Sequence, residues 1–194
     1  MTVDEFLEGV KSQEVVTLEQ EVSIPGPHAQ ALLAAGRPIA LTDYLNHPDR
    51  HCERRTFRFR HIVGPGLTPE ALDHWQSRFR EFPLPEDLRH FLMKANGVHL
   101  WADLEEQRSY LGILPLEDWS DAASGPFAYV FEGRPHAGLV ISYRHDTAGF
   151  AMLDTDGPTY FWCDLIGEPE QIGTTVDELL TYWWKHCSLD PREG

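Results

Sequence analysis

A chain of 194 residues with 42% hydrophobic content can bury one ordinary domain core, which excludes a disordered protein. Its 31 acids against 16 bases leave a net charge of −15, a field that repels nucleic-acid phosphates and anionic membranes and attracts basic partners. Met1–Val10 carries three acids and no apolar run, and no stretch approaches the roughly 18 apolar residues of a membrane span, so a soluble cytoplasmic protein is expected.

In chain order, Phe6, Leu7 and Val10 recur at helical spacing and predict a short amphipathic helix over Asp4–Lys11. Val15-Val16 and Val22–Ile24 read as short extended pieces. Pro25-Gly26-Pro27 breaks the chain, and a helix is expected over His28–Ala35, ended by Gly36. The basic segment Arg50–Arg60 alternates toward its end, placing Phe57 and Phe59 on one face of a strand and Arg58 and Arg60 on the other. A nucleic-acid strand on such a surface conflicts with the total charge; an amphipathic strand whose arginines meet solvent or the protein's own acids is the better expectation. Gly64-Pro65-Gly66 reads as a linker. It divides the chain into an N-terminal extension, residues 1–66, of no assigned role, and a main domain, residues 67–194. Up to Gly66 there are 9 acids and 7 bases, so 22 acids and 9 bases follow, net −13.

Thr68-Pro69-Glu70 starts a helix with Leu72, Trp75 and Phe79 as its apolar stripe. A short connection leads to a second helix inside Leu84–Gly97. Pro85 suits its first position, Glu86 and Asp87 complement the positive end of its dipole, and Leu88, Phe91, Leu92 and Ala95 form one stripe. Asn96-Gly97 is expected to stop it in the left-handed conformation. Short β-branched or aromatic runs then follow at Tyr110–Leu114, Phe127–Phe131, Gly138–Tyr143, Phe150–Leu153 and Thr159–Trp162, with Asp156-Gly157 as a hairpin turn. A last helix over Thr175–His186 buries Val176, Leu179, Leu180 and Trp183. Helices, an antiparallel meander of about five to six strands, and a C-terminal helix packed on it make an α+β fold.

Chemical motifs are sparse. Asp154-Thr155-Asp156-Gly157 begins like a calcium loop, but the twelfth position is Leu165 and the glycine comes early, so it is assigned to the turn. His47 and His51 are four apart with Pro48 between them, which prevents a helical metal pair. No metal or cofactor is expected. Cys52, Cys163 and Cys187 are odd in number and widely spaced, and form neither a disulfide framework nor a Cys-x-x-Cys pair; reduced, structural thiols fit best. No nucleophile elbow, phosphate loop or dinucleotide fingerprint is present, so no catalytic residue is assigned. Trp162 and Trp183 are expected in the core, and Trp101 and Trp119, in loop-like acidic surroundings, at an interface.

The stretch Leu84-Pro85-Glu86-Asp87-Leu88, Phe91-Leu92 and Asn96-Gly97 resembles the signature of the SMI1/KNR4 superfamily, also called SUKH. So do Ile113-Leu114-Pro115-Leu116, Leu139-Val140-Ile141, Gly149–Asp154, Thr159-Tyr160-Phe161-Trp162 and Thr175–Leu180, in that order. The resemblance covers about Leu67 to His186. It implies an α+β domain whose bacterial members are mostly immunity proteins that neutralise polymorphic toxins by direct binding, others being regulatory scaffolds. The expectation is therefore an immunity protein occluding a basic toxin domain, possibly a nuclease, with no direct contact to nucleic acid or membrane. The expected contacts are Trp101, Asp103, Glu105 and Glu106 after the helix, and Glu117, Asp118, Trp119 and Asp121 after Pro115. The alternative is a non-enzymatic regulatory or scaffolding domain with no toxin partner.

Overall fold

The structure is a computed structural model that describes residues 1–24, 51–80, 82–104, 111–121, 138–144, 149–154, 157–163 and 169–187, with single positions at 27, 31, 34 and 35. Two compact units divide the chain: Met1–Val15 together with Phe59–Gly194, and Val16–Arg58. The second contains β1 (Val16–Ile24) and the 51–58 part of β2 (His51–Val63), which are neighbours in the sheet order. Val16 and Val22–Ile24 are thus the two ends of one nine-residue strand, and Val15 precedes it. Most of the His28–Ala35 helix and the Phe127–Phe131 strand lie outside the described residues, as do Thr155 and Asp156 of the expected turn.

In the first unit the four described helices are α1 (Val3–Ser12), α2 (Pro69–Arg78), α3 (Glu86–Lys94) and α4 (Val176–Cys187). Its sheet order is β2-β3-β4-β6-β7-β8-β9, with the two-residue β5 pairing β6. These strands are β3 (Val98–Asp103), β4 (Leu111–Ile113), β5 (Ser120–Asp121), β6 (Gly138–Arg144), β7 (Gly149–Asp154), β8 (Tyr160–Cys163) and β9 (Glu170–Gly173). All the pairings with a defined register are antiparallel, and β6 to β9 form the sequential meander that short hairpins favour. The α+β architecture follows the sequence reading, with nine strands in the described residues; β3, β5 and β9 lie outside its apolar runs. Among the described residues no helix is long and apolar enough to cross a membrane.

The meander is buried on both faces. Val140, Phe150, Met152 and Cys163 cluster on one side, with Leu114 and Phe161 packed against them. The alternate residues Leu139, Ala151, Leu153, Tyr160 and Trp162 are buried too, and Trp162 meets Trp183 of α4 edge-on at 5.8 Å. Strands covered on both sides read as continuous apolar runs, which is how these appear in the sequence.

Helix α1 belongs to this unit through its apolar stripe. Phe6, Leu7 and Val10 are buried, Phe6 stands edge-on to Trp184 of α4, and Met1 donates to the Thr181 hydroxyl at 2.9 Å. A capping box starts the helix: the Glu5 amide donates to the Thr2 hydroxyl, and the Thr2 amide donates to the Glu5 carboxylate. The Gly64-Pro65-Gly66 segment is docked on the C-terminal end of α3. Its Gly64 amide donates to the Gly97 carbonyl, the Asn96 amide donates to the Pro65 carbonyl, and the Leu67 amide donates to the Leu92 carbonyl. A Cβ on Gly66 would collide with the Met93 carbonyl, so glycine is what admits this approach.

Candidate partner-binding surface

Helix α3 and the turn after β4 form the most tightly specified corner of the first unit. Pro85 is the N-cap of α3 rather than its first helical residue, and Ala95 ends the helix in an extended conformation. The left-handed residue is Gly97, φ +91°, which immediately precedes β3 instead of closing the helix. A Cβ there would lie 3.0 Å from the Pro115 nitrogen and 3.2 Å from the Ile113 carbonyl oxygen. Asn96 completes the corner: its Oδ1 accepts from the Leu116 amide at 2.8 Å, and its Nδ2 donates to the Glu117 carboxylate at 2.9 Å. The single 3-10 turn Leu116–Asp118 is thereby held against the end of the helix.

On this turn Glu117 and Asp118 are exposed, and Asp121 follows half-buried in β5. The structure brings these three expected contacts together. Trp119 lies beneath them, 5% exposed, with its indole N–H donating to the Leu114 carbonyl and its ring edge-on to Trp75 of α2 at 6.0 Å. Trp101 is in β3 and 6% exposed, and Asp103, the last residue of that strand, is 4% exposed. The loop-like setting expected for Trp101 and Trp119, and for Asp103, is corrected: acidic neighbours in sequence marked a strand end and a tight turn, whose aromatic residues turn inward. Glu105 and Glu106 lie outside the described residues.

Burial disfavours the charged form of two histidines in this unit, His61 and His99. Burial pushes His61 of β2 down to about 4, and its Nδ1 accepts from the Trp101 amide at 2.9 Å. That bond sits where the β2–β3 register shifts between Arg60 and Ile62, and Trp101 there adopts φ +50°, which is rare for a side chain of its size. His99 is lowered by burial, against an opposing pull from Asp118. Sequence reading missed the His61–Trp101 pair, because a bulge leaves no periodic signature.

A second concavity, about 680 Å³, lies where the N-termini of α1, α3 and α4 meet, between Asp4, Glu86, Asp87, His90, Lys94 and Asp177. Its charges are mostly used internally. Lys94 bonds Asp4 at 2.7 Å and holds that carboxyl below its usual range, and Asp87 accepts from the Leu88 and Val176 amides. Cys52 is exposed and Cys163 is buried, and neither is in a disulfide. Among the described residues no group of three or more metal-ligating side chains converges.

The SMI1/KNR4 family model (SUKH-1) matches residues 66–182, more than half of the chain. The chain belongs to the SMI1/KNR4 family. No curated protein and no solved structure matches it. The match begins within the docked Gly64-Pro65-Gly66 segment and ends inside α4. In this SMI1/KNR4 domain the signature pieces touch one another in space. Asp87 accepts the Val176 amide at 2.7 Å, joining the Leu-Pro-Glu-Asp-Leu stretch to the start of α4. Asn96 and Gly97 grip Pro115-Leu116. The Thr175–Glu178 pair closes a capping box, with the carboxylate held low chiefly by the Thr174 amide. The signature is thus a folding device, and the exposed acids Glu117 and Asp118 follow directly on its Pro115-Leu116 piece.

Proposed function

We propose that this SMI1/KNR4 domain is an immunity protein that neutralises a cognate toxin domain by direct binding and occlusion. Family membership supports the general role of a non-enzymatic binding domain. The observation that carries the finer reading is the exposed pair Glu117 and Asp118 on a turn fixed by Asn96 and Gly97. A rigid acidic projection loses little conformational freedom on binding and steers a basic surface onto itself. The charge distribution supports the same reading. Val16–Arg58 contains 5 acids and 5 bases, so the first unit bears the whole net −15. A nuclease domain, whose phosphate-binding surface is basic, is the toxin class this charge fits best. Glu117, Asp118 and Asp121 are the contacts we assign; Trp101, Trp119 and Asp103 support them from within.

The test is co-expression with the product of the neighbouring gene. Co-purification and protection of growth are expected, with both lost in E117K/D118K while the circular dichroism spectrum is unchanged. A wild-type chain that neither retains that product nor protects against it overturns the reading.

A further inference from the structure

Strand β2 carries a second charged surface, of opposite sign and independent of the acidic turn. Over Cys52–Arg58 the even-numbered residues Cys52, Arg54, Thr56 and Arg58 share one face of the strand, and all four are exposed. On the other face Arg55 is paired with Glu53 at 3.3 Å, and Phe57 is half-buried. Arg54 and Arg58 make no ion pair or hydrogen bond among the described residues. The exposed Glu19 and Glu21 of the neighbouring strand β1 make no ion pair with them. Among the described residues, two guanidinium groups therefore stand unpaired on one strand face, four residues apart, a separation of about 13 Å at strand rise.

We infer that this face docks an acidic, extended segment of a partner protein. The planar guanidinium fork matches a carboxylate with two parallel hydrogen bonds. Carboxylates at alternate positions of an extended chain repeat at about 7 Å, so every second one reaches an arginine of the pair. Single-stranded nucleic acid presents anions at a similar spacing but fits less well. Phe57 points to the opposite face and is half-buried, so this face offers no aromatic platform for bases.

The test uses the full chain and two fluorescently labelled probes, an oligoglutamate peptide and an oligothymidine of equal length, titrated by fluorescence anisotropy in low-salt buffer. The expected result is saturable peptide binding that exceeds binding of the oligothymidine and weakens by at least about tenfold in R54E/R58E. The control R78E/R80E makes the same charge change on exposed arginines of the first unit and should leave peptide affinity within about twofold. Circular dichroism of both variants verifies folding. Absence of peptide binding, equal weakening by the two double variants, or tighter binding of oligothymidine overturns the inference.

Discussion

His61 shows how one buried side chain writes a pH dependence into this fold. Its imidazole is neutral in the folded chain, with its position fixed by the Trp101 amide. In the unfolded chain it titrates near 6.5. Because its folded value is depressed to about 4, the unfolded state binds the extra proton first. Stability is complete above about pH 6.5 and falls as pH drops toward 4, and the lowered His99 adds in the same direction. Urea unfolding at pH 7.5 and pH 5 should show a loss of about 2 kcal/mol from His61 alone. His61→Leu should flatten that part of the slope while costing about 1–3 kcal/mol at neutral pH, since the Trp101 amide loses its acceptor. An unchanged slope in the variant would mean that the imidazole titrates normally. Gly97 makes a sharper point about a single position. Gly97→Ala places a Cβ in the left-handed region and against Pro115, and should cost about 1–3 kcal/mol in thermal or chemical unfolding.

At the scale of elements, cross-links between helix ends hold the first unit together as much as the sheet does. The Asp87 carboxylate on α3 caps the first amide of α4, so Asp87→Ala should destabilise the chain by about 1–2 kcal/mol and loosen α4 first. Faster amide exchange confined to Val176–Leu180 would show it. Gln76 pins the α2–α3 connection in the same manner: its amide donates to the Phe79 and Phe82 carbonyls while its carbonyl accepts from the Leu84 amide. Such links also explain what was legible in the sequence. Each helix announced itself through its stripe, because Leu72 and Trp75, or Leu88, Phe91 and Leu92, repeat at the period that one buried face requires. The β6–β8 runs were legible for a related reason, as both faces are covered. The short strand β9 has no fully buried residue and no apolar run, and β5 has two half-buried residues, so periodicity was silent on both. Of the candidate surface, the acidic turn was legible in the sequence and the packing beside it was not. Glu117 and Asp118 are exposed as acids on a turn should be, but the tryptophans beside them are packed inward, since indole area gains more from burial than a short loop can offer outside.

Across the whole molecule the two units differ in charge, one neutral and one strongly acidic. Association with a basic partner should therefore be fast at low ionic strength and slow markedly as salt rises, with dissociation changing much less. Stopped-flow measurement of both rates with the co-purified partner checks this, and an association rate indifferent to salt would count against electrostatic steering. On the proposed function, the acidic surface sets how a partner arrives and the hydrogen bonds that hold Glu117 set how rigid the target is.

The packing of α1 on α4 has a consequence for the order in which this protein is made. Phe6, Leu7 and Val10 leave the ribosome well before Trp184, the side chain that Phe6 meets. The bond from Met1 to Thr181 spans 180 positions. An apolar helix face must therefore wait without its partner while the chain between α1 and α4 is made, and the first unit closes only when α4 emerges. Contacts this distant in sequence slow folding and leave the nascent chain exposed to aggregation or chaperone capture.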